Sequence, residues 1–335
     1  MLGIVGAGAM GAAMAVHLSD AGRDITMFAT EHDGRFVEAH LKGKPHPALG
    51  MDLPSNLLIV DPSSWEDELP KIDILILAVA TPGLVSTVRR AAPFASPSCL
   101  WAIATKGLDE ATLRPATAVA ADEVGDPDRV VAVVGPSLAS EIAAGVPTAV
   151  VCASTGARAA RAVAEALGSE RFRTYTSDDV IGVEVGAVMK NVVAIGVGLC
   201  DGLAQEYGVA TMTNAKAFVF SRGLVEMARL TRALGGRAET ILGLAGAGDL
   251  FVTVLGGRNM RYGVLVGSGM SPEQALAEMN TTVEGYFNVR AAAGLAERFG
   301  LDLPVVDVVA RVLYEGLSPR AAVERLVSAS VEEEL

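Results

Sequence analysis

Leu2-Gly3-Ile4-Val5-Gly6-Ala7-Gly8-Ala9-Met10-Gly11 is the stretch on which the fold turns. An apolar run of strand length passes straight into Gly6-x-Gly8-x-x-Gly11, and residues 9–21 beyond it have an Ala-rich, helical composition. In that setting each glycine has its own task. Gly6 makes a tight turn, Gly8 leaves room for a pyrophosphate to approach, and Gly11 lets helix pack closely on strand. Ala9 and Met10 open the helix, whose N-terminus adds amide donors and the positive end of a dipole. The reading is a dinucleotide-binding unit; the plainer alternative is a glycine-rich structural turn.

Working outward, further apolar runs at 25–28, 73–79, 99–104, 130–134 and 148–152 read as buried strands. Helical stretches at 82–92 and 110–124 lie between them, and a helix at 157–167 with a strand at 171–174 extends the region. Alternating strands and helices with continuously apolar strands predict a doubly wound, parallel Rossmann-type sheet covered on both faces. From about Ser177 the texture changes to long Ala/Val/Leu/Met patterns broken by glycine pairs. Ser271-Pro272-Glu273 and Ser318-Pro319 are helix starts, with serine as cap and proline in the first turn. The expectation is an α/β fold in two domains: residues 1–178 for the dinucleotide and an all-helical 179–335 for substrate and catalysis. The acidic tail at 331–335 reads as frayed.

Composition narrows the function. The 335 residues are 51% hydrophobic and 20% charged, enough for sizeable cores and unlike a disordered chain. Lys+Arg 27 against Asp+Glu 39 gives a net charge of −12, which argues against nucleic-acid or membrane-surface binding. Cys99, Cys152 and Cys200 form no CxxC pair, so neither a disulfide framework nor a metal site is expected. The absence of a signal-like start adds to a cytoplasmic expectation. The apolar stretch 180–200 is long enough to span a bilayer, yet Glu184, Lys190 and Asn191 interrupt it, and a buried core helix is the reading preferred.

The chemistry-bearing residues follow. After the second strand come Ala29, Thr30 and Glu31, with no arginine there to take a 2′-phosphate; Glu31 could accept a ribose diol, which leans toward NAD over NADP. A solvated loop carboxylate is the other reading. All four histidines lie in the first 46 residues, so none can serve as acid or base in the helical domain. Six lysines against 21 arginines make lysine scarce. Lys106, Lys190 and Lys216 sit in apolar or glycine-bounded settings, where a desolvated lysine gives up a proton near neutrality and its charge polarises a carbonyl. A snorkelling helix lysine is the alternative for Lys190. Gly135-Pro136-Ser137 follows a strand and precedes a helix containing Glu141, so Ser137 is either a ligand-facing hydroxyl or a helix cap. Gly246-Ala247-Gly248-Asp249 with Thr253, Arg258 and Asn259 brings a carboxylate, a hydroxyl, a guanidinium and an amide into one segment, suited to a phosphate dianion; a helix-breaking structural loop is the plainer reading.

Taken together these motifs resemble the NAD(P)-dependent glycerol-3-phosphate dehydrogenases. The resemblance runs nearly end to end: Gly6–Gly11, His46-Pro47, Lys106-Gly107-Leu108, Gly135-Pro136-Ser137-x-Ala139-x-Glu141, Lys190-Asn191, Asn214-x-Lys216-Ala217, Gly246-x-Gly248-Asp249, Arg258-Asn259 and Val283-Glu284-Gly285. It implies hydride transfer between NAD(P)H and dihydroxyacetone phosphate, a 6-phosphogluconate-dehydrogenase-like pair of domains and a homodimer. It also implies roles. Lys190 is the acid/base and contacts substrate; Lys106 takes part in catalysis and touches both substrate and cofactor, and Asp249 takes part in catalysis and holds substrate. Gly135, Ser137, Asn191, Thr253, Arg258 and Asn259 face the substrate. Lys106, Ala139, Arg258 and Glu284 reach the cofactor. Many relatives carry Arg or Lys after the second strand, where this chain has Thr30-Glu31. A reductase of another phosphorylated or phosphonate ketone, or a non-catalytic dinucleotide sensor, would share these motifs.

Overall fold

The structure is a computed structural model that describes residues 1–109 and 112–328. It divides into two compact units: Met1–Asp109 with Arg114–Val180, and the chain from Ile181 onward with the short stretch ending at Leu113.

The first unit is one eight-stranded sheet. In chain order it runs β1 (Leu2–Val5), α1 (Ala9–Asp20), β2 (Ile25–Phe28), α2 (Gly34–Leu41), β3 (Leu58–Val60), α3 (Trp65–Glu68), β4 (Ile74–Leu77) and α4 (Thr81–Ala91). Then come β5 (Leu100–Ile103), α5 (Ala116–Val124), β6 (Val130–Val134), α6 (Ala139–Ala143), β7 (Thr148–Ala153), α7 (Ala157–Leu167) and β8 (Phe172–Ser177). The strand order is β3-β2-β1-β4-β5-β6-β7-β8. Strands β1, β2, β4, β5 and β6 are buried on both faces, which is why they read as unbroken apolar runs. One core packs on each side of the sheet. The first gathers Leu18, Met27, Ile76 and Val131; the second gathers Phe28, Leu75, Leu77 and Trp101.

Three details differ from the expectation. β3 is an eighth strand of only three residues, with Leu58 exposed, too short and too solvated to stand out. β7 pairs antiparallel with β6, while β8 runs parallel to β7. The connection from β6 to β7 contains only the five-residue α6, and a parallel crossover normally uses a full helix. The helix expected at 110–124 begins at Ala116, after an antiparallel bridge from Leu108 to Pro115; residues 110 and 111 lie outside the described part, as does the tail at 331–335.

The described residues of the second unit form helices and the loops between them, with no strand: α8 (Val180–Gly202), α9 (Thr213–Ala233), α10 (Asp249–Val254), α11 (Arg258–Gly267), α12 (Pro272–Met279), α13 (Glu284–Phe299), α14 (Pro304–Tyr314) and α15 (Pro319–Val327). Ser271 closes a full capping box with Gln274, and Ser318 accepts from the Ala321 amide. Residues 180–205 form a helix long and apolar enough to cross a membrane, yet 89% of its most apolar window is buried inside the protein. It is the axle of a helical core.

Candidate active site

Register places the candidate residues of the first unit on one edge. Val5 pairs with Phe28 and with Leu77, and Leu77 pairs with Ile103, so these four strands end level. The residues that follow them, Gly6, Ala29, Ala78 and Ala104, therefore begin the loops at the carboxyl edge, where such sheets take ligands. Gly6 turns with φ +98°, and a Cβ on Gly11 would lie 1.9 Å from the Gly6 carbonyl oxygen, so only glycine lets α1 start there. A Cβ on Gly8 would meet nothing within 4 Å, so the backbone is bared on that side. No side chain caps α1, whose N-cap is Gly8. Uncapped amides, the helix dipole and a bared glycine are what a pyrophosphate requires, and the loop fits a dinucleotide on those grounds.

His46 secures that loop. The Ala48 amide donates to Nδ1 at 3.3 Å, which assigns the proton to Nε2, and Nε2 lies 2.8 Å from the Ala7 carbonyl oxygen. The ring is buried and stacks on Phe36 with centroids 4.7 Å apart. Burial pushes its pKa down, keeping the imidazole neutral. The sequence flagged His46 only through the family motif; its hold on Ala7 is a tertiary contact.

Lys106 follows β5. Thr81 donates its hydroxyl to the Lys106 carbonyl at 2.9 Å, and Thr105 donates to the Val79 carbonyl at 2.8 Å, so two hydroxyls fix the backbone around it. Met10, Lys106 and Ser137 help line one cavity of about 20 Å³, room for about one water. The Ser137 hydroxyl donates to the Gly135 carbonyl at 2.8 Å, so it tightens the turn and does not cap α6, whose N-cap is Leu138. Gly135 has φ +155° and a Cβ there would lie 2.7 Å from the Ala149 carbonyl oxygen. Ala139 opens α6 and is half-buried.

At the end of β2 the loop is pinned by Asp33, whose Oδ2 accepts from the Thr30 amide at 2.8 Å and the Thr30 hydroxyl at 2.7 Å. Glu31 projects from this turn and forms an ion pair with Arg90 of α4. Its own backbone amide, and then Arg90, hold the Glu31 carboxyl below its ordinary pKa. The expectation that no arginine stands at this strand end is corrected here: none follows in sequence, but α4 delivers one from 59 residues away.

The remaining candidates belong to the helical unit. Lys190 and Asp249 are both buried, and Lys190 Nζ lies 2.6 Å from Asp249 Oδ2. The meeting is prepared one turn earlier on α8. A Cβ on Gly186 would sit 2.3 Å from the Ala245 carbonyl oxygen, so glycine lets the helix press against the backbone before Asp249. Lys190 shares that face at i+4, and Asp249 follows Ala245 by four residues through a single π turn over Leu244–Gly248.

A second close approach sets the asparagines. Gly263 on α11 lies against Ile195 on α8, a Cβ there falling 2.3 Å from the Ile195 carbonyl oxygen. One turn back on both helices stand Asn259 and Asn191, and the Asn259 amide donates to Asn191 Oδ1 at 2.8 Å. Asn259 Oδ1 in turn accepts from the Gly285 amide at 2.8 Å, in the first turn of α13. The Thr253 hydroxyl bonds back to the Asp249 carbonyl at 2.6 Å. Arg258, the first residue of α11, pairs with Glu284, the first residue of α13, at 2.7 Å. The helical unit thus brings Lys190, Asn191, Asp249, Thr253, Arg258, Asn259 and Glu284 into one linked set, while Lys106, Gly135, Ser137, Ala139 and the Gly6–Gly11 loop form the group on the sheet edge.

Two family models match the chain. That of the NAD-dependent glycerol-3-phosphate dehydrogenase N-terminus matches residues 1–160, and that of the C-terminus matches 179–324. The chain belongs to this family. A Glycerol-3-phosphate dehydrogenase [NAD(P)+] of Symbiobacterium thermophilum is 40% identical over 98% of this chain and 93% of its own length. One of Pelotomaculum thermopropionicum is 34% identical over 97% and 92%. The crystal structure of glycerol-3-phosphate dehydrogenase from Coxiella burnetii superposes with a TM-score of 0.87 at 32% identity, covering 98% of each chain. Family membership makes the chain an NAD(P)-dependent oxidoreductase.

Proposed function

We propose that this protein is a glycerol-3-phosphate dehydrogenase, interconverting dihydroxyacetone phosphate and sn-glycerol 3-phosphate with Lys190 as acid and base. The observation that carries the catalytic part of this reading is the buried Lys190–Asp249 pair. The bound dinucleotide supplies the hydride that reaches C2 of the ketone. As that carbonyl becomes an alkoxide, Lys190 Nζ donates a proton to the C2 oxygen, and in the reverse direction it takes the proton back. Asp249 holds the ammonium in place, and the burial of both groups keeps water from weakening the interaction. Arg258, with the uncapped N-terminus of α11, receives the phosphate. Phosphate binding is remote from C2, so its energy aligns the ketone for transfer. Asn259 acts through its neighbours: it fixes Asn191 and the start of α13.

The finer features of the reading are a cytoplasmic enzyme and a homodimer. All three cysteines are buried free thiols, pushed by burial up to about 11 for Cys99 and about 12 for Cys152 and Cys200, which suits a reducing compartment. Sedimentation equilibrium of the purified chain checks the dimer. A dinucleotide-absorbance assay with dihydroxyacetone phosphate beside unphosphorylated and phosphonate ketones tests the function. Turnover with dihydroxyacetone phosphate is expected; turnover only with another ketone would replace the substrate, and none at all would leave a sensor.

A further inference from the structure

The strand end beyond β2 carries more than a lone carboxylate. Trp65, almost fully buried, donates its indole N–H to the Ala29 carbonyl at 3.2 Å and meets Phe28 edge-on, ring centroids 5.9 Å apart. It is thereby locked onto the last residues of β2. Arg90 lies over the Trp65 ring, its guanidinium carbon 4.7 Å from the centroid, and donates to the Pro62 carbonyl at 2.8 Å. From that platform it pairs with Glu31, leaving 35% of its own side chain and 65% of that of Glu31 exposed. In a Rossmann sheet the residue after the second strand meets the adenosine ribose: a carboxylate there accepts the 2′- and 3′-hydroxyls, and a guanidinium there takes a 2′-phosphate. This chain presents both groups, from two elements, in contact.

We infer that the Glu31–Arg90 pair decides between the two dinucleotides, with Glu31 selecting NAD and Arg90 a latent site for the 2′-phosphate. While Glu31 is in place, Arg90 orients its carboxylate toward a diol, and the negative charge repels a phosphate. Once Glu31 is removed, the guanidinium stays on Trp65 and offers the phosphate a charge-assisted pair. The inference rests on the reading above only in that the Gly6–Gly11 loop receives the pyrophosphate.

Isothermal titration calorimetry with NADH and NADPH, without ketone, reads the pair directly. The unaltered protein is expected to bind NADH more tightly. Glu31→Ala should shift the ratio of dissociation constants toward NADPH by about tenfold or more. Adding Arg90→Met, which keeps an apolar stem on Trp65 without the charge, should cancel that gain. A ratio unmoved by Glu31→Ala, a gain that survives Arg90→Met, or an unaltered protein that binds NADPH more tightly would each overturn the inference. Loss of binding of both dinucleotides in the unaltered protein would instead overturn the loop assignment, and failure to reduce dihydroxyacetone phosphate with either would overturn the proposed function alone.

Discussion

Arg258 and Glu284 stand at the first positions of two helices and hold each other at 2.7 Å, an arrangement that uses one face of a guanidinium with five donors. If the remaining donors take the substrate phosphate, Arg258→Ala should raise KM for dihydroxyacetone phosphate by about 10- to 100-fold, the range of a lost hydrogen bond to a charged group. An unphosphorylated ketone should lose far less. Equal losses for both substrates in steady-state kinetics would remove Arg258 from the phosphate. At this scale the sequence is informative wherever a motif is local. Gly6, Gly8 and Gly11 declare their task within six positions, and Lys190 is marked by its rarity and its apolar flanks. Arg90 is different: it reaches Glu31 from its place over the Trp65 ring of α3, and no spacing signals a contact across 59 residues.

Helix α8 is positioned by glycine. At Gly186 the backbone of residue 245 lies where a side chain would go, and the ion pair one turn further on depends on that approach. Gly186→Val should therefore separate Lys190 from Asp249 and overpack the core, at a cost of about 1–3 kcal/mol. A fall in the thermal midpoint together with a fall in kcat is expected; a variant with native kcat would show that the approach is not needed for the pair. The strands were legible because sheets buried on both faces leave continuous apolar runs, as in Ile74–Leu77. β3 escaped because three residues with an exposed Leu58 carry no such run. The reversed direction of β7 also left no trace, since strand polarity is decided by the connection through α6 and not by the strand residues.

Over the whole molecule, acid–base behaviour should report on a buried carboxylate with no part in the chemistry. Glu226 is fully buried and accepts from the Val305 and Val306 amides at 2.6 and 3.1 Å, closing the start of α14. Burial pushes its pKa up to about 7, against the opposing pull of those amides and of Arg222 and Arg229. The folded state then binds a proton more tightly than the unfolded chain, whose carboxyl titrates near 4.5. The stabilising contribution is full below that value and is lost as pH rises to about 7, at most about 3 kcal/mol. Denaturant unfolding of the native protein and of Glu226→Gln should show the native curve falling relative to the variant over that window. Parallel curves would contradict the assignment.

The division into a sheet unit and a helical unit was visible in the change of texture near Ser177, because β-rich and helix-rich cores use different apolar periods. The linked polar set of the helical unit was not, since Asn191, Asn259 and Gly285 are joined only by the packing of α8, α11 and α13. The ammonium of Lys190 is the group on which the proposed proton transfer turns. Lys190→Ala should lower kcat with dihydroxyacetone phosphate by about 10²- to 10⁴-fold, the usual worth of a positioned general acid, while the dissociation constant for the dinucleotide, measured by calorimetry, stays close to native. A variant that kept kcat within about threefold of the native enzyme, far inside that range, would contradict the claim that this lysine delivers the proton.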